Sequence, residues 1–212
     1  MPIIKCVNIN ENSSWAIWRI DEAYQDLLNY STLNSEDWEL LDSIHHPQKK
    51  LEWLSSRLTV RHLVKNRNLV FNGIGKDEFN KPFLKNHECE ISLSHSFPYS
   101  CAIIHGFNAV GIDIEHPRPK LLTIAKKFLN NNELQFANSE LNKLSILWSA
   151  KEALYKIHGR QKLTFRDHLE IVPFDIHSNT NFEGKIKLEG QSEEIYLLSF
   201  LPIHNHFVVF NI

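Results

Sequence analysis

Two stretches of about twenty residues carry apolar side chains at helical spacing, and they set the plan of the whole chain. The first, 47–66, opens on Pro47, which suits a first helical position, and repeats Leu51, Leu54 and Leu58 along one stripe. The second, 139–158, has Ser139 placed as an N-cap and Gly159 as a stop. Shorter helical patterns fall over 21–30, 35–43 and 121–129. Strand-like runs cover 3–9, 15–20, 91–96, 100–105 and 109–115, then 169–174, 184–188, 195–203 and 206–212, and 73–82 reads as loop. Each half thus offers one long helix and about three or four strands, with a join near 105–108. The expected fold is α+β: two similar subdomains, 1–105 and 106–212, each packing antiparallel strands on its long helix, with a site in the cleft between them.

Composition narrows the function classes. A chain of 212 residues that is 42% hydrophobic, with thirteen Phe and five Trp, can bury a sizeable core. A formal charge of −2 gives no global reason to expect nucleic acid as partner. Cys6, Cys89 and Cys101 are odd in number and match no zinc or redox spacing, which fits a reducing compartment. The first residues lack the basic end and apolar run of a secretory leader, and no apolar run reaches membrane-spanning length, so a cytoplasmic monomer is expected.

The chemistry concentrates in two segments. Val110-Gly111-Ile112-Asp113-Ile114-Glu115 alternates, so a strand there points Asp113 and Glu115 to one face and the isoleucines to the other. Two like charges so close require a cation, a basic side chain or water, and a solvated sheet face is the plain alternative to a metal site. In Trp148-Ser149-Ala150-Lys151-Glu152-Ala153-Leu154-Tyr155-Lys156 a helix puts Trp148, Glu152, Tyr155 and Lys156 on one side, and Ala150, Ala153, Leu154 and Ile157 on the other. Glu152 is a third carboxylate off the apolar face, and Glu152 with Lys156 also reads as an ordinary helix pair. Oxygen ligands of this kind suit magnesium, with manganese as the other option.

The first half supplies positive charge. The first long helix carries Lys49, Lys50, Trp53, Arg57 and Arg61, of which Lys50, Trp53, Arg57 and Arg61 fall along one stripe beside the leucines as an anion-binding or simply solvated basic face. Lys81, in the turn Asn80-Lys81-Pro82, adds a cation suited to phosphate. Ser94 and His95 within Ser92-Leu93-Ser94-His95-Ser96 add a hydroxyl and an imidazole a short connection before Asp113.

Taken in order, this set resembles the 4′-phosphopantetheinyl transferase superfamily, in particular its surfactin-synthetase-activating type. Gly111-Ile112-Asp113-Ile114-Glu115 and the 148–156 segment are the specific parts, while Phe128 and Glu133 match less specific positions. The resemblance implies a pseudo-two-fold pair of subdomains. It also implies a holo-acyl-carrier-protein synthase activity: transfer of 4′-phosphopantetheine from coenzyme A to a serine of an apo acyl or peptidyl carrier protein, releasing adenosine 3′,5′-bisphosphate. By the same resemblance Asp113, Glu115 and Glu152 are magnesium ligands, Glu152 is a candidate general base and Lys156 lies near the pyrophosphate. Lys49 or Lys50, Arg57, Lys81, Ser94 and His95 lie where the coenzyme A phosphates are gripped, with Lys81 and His95 near the 3′-phosphate. Asn80 stands where the family carries glycine, and asparagine tolerates a left-handed backbone. The stretch 116–129 is expected to dock the carrier through a patch around Pro117, Pro119, Leu121 and Phe128, assisted by Arg118 and Lys120. A metal-dependent nuclease and a coenzyme A-binding regulator without turnover are the competing readings.

Overall fold

In the computed structural model, which describes residues 3–159, 163–177 and 180–212, the chain divides into two units, Met1–Ala109 and Val110–Ile212. The first unit begins with a hairpin of β1 (Ile3–Asn10) and β2 (Ser13–Arg19), followed by α1 (Tyr24–Tyr30), α2 (Ser35–Ser43) and α3 (Pro47–Asn66). Then come β3 (Ile74–Lys76), β4 (Pro82–Leu84), β5 (Glu90–Ser96) and β6 (Tyr99–His105). The six strands form one antiparallel sheet in the order β1-β2-β6-β5-β4-β3.

Helix α3 follows the predicted 47–66 pattern and lies on this sheet. Val60, Leu63 and Val64 meet Ala16, Ile91, Ala102 and Ile104, and Leu54 and Leu58 join Trp18, Ile20, Leu27 and Leu41 under α1 and α2. Burial of that stripe, at about 1.5–3 kcal/mol for each large apolar side chain, holds the helix in place where propensity alone contributes little. The 73–82 segment, predicted as loop, contains β3 and leads into β4. Three-residue strands show no alternation, and their extended state comes from pairing: β3 with β4 across Ile74–Lys76, and β4 with β5 through Phe83 and Glu90.

The second unit runs β7 (Ile112–Glu115), α4 (Lys120–Phe128), α5 (Asn131–Ala137), α6 (Leu141–His158), α7 (Phe165–His168), β8 (Leu169–Ile171), β9 (Asn181–Ile186), β10 (Glu194–Ile203) and β11 (His206–Asn211). Its five strands form an antiparallel sheet in the order β7-β11-β10-β9-β8, against which α6 packs. Two expectations need correction. Helix α6 starts at Leu141, not Ser139, because Asn138 and Ser139 both take left-handed backbone, at φ 45° and 58°, and form a turn. That turn separates α6 from α5, a helix absent from the predicted elements, which starts on a reciprocal cap between Asn130 and Glu133.

Lys151 anchors α6 from inside. Its side chain is 0% exposed, and Nζ donates to Glu133 Oε2 at 2.6 Å, Phe165 O at 2.9 Å and Leu169 O at 2.6 Å. Three acceptors match its three protons. The other oxygen of Glu133 accepts Ile171 N at 2.8 Å, so one ion pair ties α5, α6, α7 and β8 together. Burial lowers the Lys151 pKa, and Glu133 opposes that shift. Among the described residues no helix is long and apolar enough to cross a membrane.

Candidate active site

Close approach of β7 to α6 places the acids. A Cβ on Gly111 would stand 2.0 Å from Ala153 O, so only glycine lets the strand pass this turn of the helix. Asn211 Oδ1 accepts Gly111 N at 2.9 Å and fixes the strand entry. Gly111→Ala is therefore expected to destabilise the second unit by about 2–3 kcal/mol through overpacking against backbone. Thermal unfolding checks this, and a loss under about 0.5 kcal/mol would show that the helix can back away.

Strand β7 pairs with β11, Asp113 opposite Val209 and Glu115 opposite Phe207. Both acids are buried, at 6% and 8% exposure. One turn beyond the Gly111 contact, Lys156 Nζ donates to Ile112 O at 2.9 Å and Asp113 Oδ1 at 2.8 Å. Glu115 is held from the other side: Arg118 bonds its Oε2, His116 N donates to Oε1 at 3.0 Å, and His116 Nδ1 stands 3.4 Å from Oε1. On α6 the buried and half-buried positions divide as the helical pattern predicts, with Glu152, Tyr155 and Lys156 partly covered and Ala150, Ala153, Leu154 and Ile157 in the core. Burial pushes the Glu152 carboxyl up to about 7. The charge of Asp113 adds to the rise, Lys156 opposes it, and Glu115 adds a smaller push.

Three carboxylates thus share one electrostatic field with a net shortage of positive charge. Their oxygens are hard donors of the kind a magnesium-like cation takes, and a divalent charge would relieve the strain on Glu152. In the present arrangement Lys156 and Arg118 supply the counter-charge. Among the described residues no three His, Cys, Asp or Glu side chains are drawn together closely enough to ligate one ion. The residues fit such a cation in chemistry and charge, and ligation would require those side chains to draw together. Beside Glu152 an open, mainly apolar groove runs between Ile124, Phe128, Trp148 and Phe165, its wall built by Trp148 against Phe128 and Phe165 at ring separations of 5.0 and 5.6 Å.

The stretch after β7 departs from its expected surface. Leu121 and Phe128 are buried, not exposed, because α4 turns them with Ala125 toward the core. Leu122 is the large apolar side chain that this helix exposes. Arg118 is engaged by Glu115.

In the first unit the basic residues fall into separate groups. Lys49 Nζ stands 2.6 Å from Glu52 Oε2, and His95 Nδ1 stands 3.3 Å from the same oxygen. Arg57 stacks its guanidinium 3.4 Å over Trp53 and pairs through Nε with Asp37 Oδ1 at 3.4 Å. Burial lowers its pKa to about 10 against the pull of Asp37. Lys50 Nζ lies 5.9 Å over the Tyr24 ring. Lys81 pairs with Glu90 at 2.9 Å, at the opposite end of β5 from His95, a separation of roughly 16 Å along the strand. Alternation along β5 sends Ile91, Leu93 and His95 toward α3, and Ser92 and Ser94 to the other face. Asn80 takes φ 66°, the left-handed backbone expected of it. Its turn is organised by Asp77, whose Oδ1 accepts Phe79 N at 2.9 Å and Lys81 N at 2.8 Å.

Glu52, Asp37 and Asp77 are the residues missed in the sequence. Asp77 had a readable signal, an Asx residue just before a turn, whereas Glu52 and Asp37 find their partners only through the tertiary fold.

All three acids and Lys156 belong to one compared segment. Residues 109–208 match the family model of the 4′-phosphopantetheinyl transferase superfamily. No protein of curated function matches the chain. The matched segment covers the second unit almost from end to end, and this part of the chain is similar to those transferases. The mixed α+β architecture, two antiparallel sheets with helices, agrees with the fold expected from that superfamily.

Proposed function

We propose that the protein transfers 4′-phosphopantetheine from coenzyme A to a serine of an apo acyl or peptidyl carrier protein, in a magnesium-dependent reaction of the surfactin-synthetase-activating type. The observation that carries this reading is the cluster of Asp113, Glu115, Glu152 and Lys156 inside the segment that matches the superfamily. Asp113, Glu115 and Glu152 would hold the cation, which when bound offsets charge on the pyrophosphate. The serine Oγ forms a bond to the phosphorus carrying the pantetheine arm, the bond from that phosphorus to the bridging oxygen breaks, and adenosine 3′,5′-bisphosphate leaves. Lys156, which donates to Asp113, would offset the negative charge that grows on the leaving phosphate. Glu152 takes the serine proton through a water molecule, which lets one carboxylate serve both the cation and the nucleophile.

In the first unit, Lys49 or Lys50, Arg57, Lys81, Ser94 and His95 hold the nucleotide phosphates in this reading. Positioning accounts for much of the rate in phosphoryl transfers, and a grip on the part of the substrate that does not react serves it. Coenzyme A mixed with the protein, magnesium and an apo carrier is expected to release adenosine 3′,5′-bisphosphate, measured by chromatography, in an amount that tracks the carrier. Release that continues when the acceptor serine is replaced by alanine would mean hydrolysis, and would remove the transferase reading.

A further inference from the structure

Glu52 is a buried charge that this mechanism does not use. Its side chain sits on α3, facing the end of β5, and is 2% exposed, while the two basic groups on it, Lys49 and His95, are 54% and 35% exposed. Oε1 accepts Gln48 Nε2 at 3.2 Å, and Oε2 faces Lys49 Nζ at 2.6 Å and His95 Nδ1 at 3.3 Å. Beneath the acid the helix is reinforced, since Ser55 and Ser56 both donate to Glu52 O. A leucine at this position would extend the apolar stripe without the cost of desolvating a carboxylate. What the carboxylate does that a leucine cannot is tie a helix cation to a strand imidazole at one surface point.

We infer that Glu52 is a positioning residue that sets Lys49 and His95 side by side as a grip for one phosphate group of the nucleotide substrate. Nδ1 of the imidazole stands 3.3 Å from the carboxylate oxygen, so Nε2 lies on the far side of the ring from it. Lys49, otherwise a mobile exposed lysine, is held within reach of the same point. This inference rests on the nucleotide-binding part of the proposed function. It adds the residue that builds the grip.

The test is calorimetric binding of adenosine 3′,5′-bisphosphate to the full chain and to Glu52→Gln, His95→Gln and the double variant. Glu52→Gln and His95→Gln are each expected to weaken binding about tenfold, and the double variant to be little weaker than either, as for groups acting as one unit. In turnover, Glu52→Gln is expected to raise KM for coenzyme A and leave kcat in place. Wild-type binding by Glu52→Gln, or losses that simply multiply, would overturn the inference. Should Glu52→Gln fail to fold, Lys49→Met and His95→Gln form the same cycle with Glu52 intact. Coupled losses there support the grip, and independent losses overturn it. A protein that modifies carriers without this coupling loses only the present inference. One that shows the coupling but modifies no carrier keeps it and loses the transferase reading.

Discussion

Lys151→Met is expected to cost about 3–5 kcal/mol of stability, the range for removing one partner of a buried ion pair. The side chain length is nearly kept, so the loss is electrostatic: Glu133, 1% exposed, keeps its backbone donors at Asn130 and Ile171 but loses its cation. The carbonyls of Phe165 and Leu169 lose their donor as well. Combining Lys151→Met with Glu133→Gln should recover part of the loss, because the unpaired charge is gone and the single amide oxygen still accepts from one of the two backbone N–H groups, Asn130 or Ile171, that the carboxylate served. Urea unfolding of the two variants measures both steps. A single-variant loss under about 1 kcal/mol would mean that the pair is not the anchor of α6 described above.

The second large effect concerns Glu152, where function and stability oppose each other. Its folded pKa of about 7 lies above the unfolded value near 4.5, so between these values the folded state binds more protons and stability falls as pH rises. Below about pH 4.5 the penalty is absent, and above about pH 7 it is complete, at most about 3 kcal/mol after allowing for partial exposure. Glu152→Gln should therefore stabilise the cation-free protein at pH 8, and leave it nearly unchanged at pH 4.5. The same variant should lose carrier modification, and magnesium is expected to stabilise the wild type at pH 8 but not the variant. Unfolding curves at both pH values, with magnesium and with a chelator, supply the comparison. Equal stability of variant and wild type at pH 8 without cation would show that Glu152 is not under the charge strain assigned to it.

Local pattern revealed those parts of the protein that local forces determine. The apolar stripe of α3, the alternation that puts Asp113 and Glu115 together, and the helical spacing of Glu152 and Lys156 were all legible, because each depends on neighbours a few residues away. Lys151 was not, since lysine ordinarily reads as solvated and its partner Glu133 lies 18 residues earlier on another helix. Arg57 read as part of a basic face, but Asp37, 20 residues before it, turns it into a packed pair. Helix α5 carried a readable cap in Asn130 and Glu133, but seven residues are too few for an apolar period to emerge. Strands β3 and β4 take their extended state from their neighbours in the sheet. That Asp113, Glu115 and Glu152 come under one another's charge was legible in the pattern, and their counter-charges only in part.

The most direct measurement is the intact mass of an apo carrier protein after incubation with coenzyme A, magnesium and either the wild-type chain or Asp113→Ala. One added phosphopantetheine group is expected with the wild type and none with Asp113→Ala, which should remain folded because Lys156 keeps its bond to the Ile112 carbonyl. No adduct on any acyl or peptidyl carrier with the wild type, or full modification by Asp113→Ala, would contradict it.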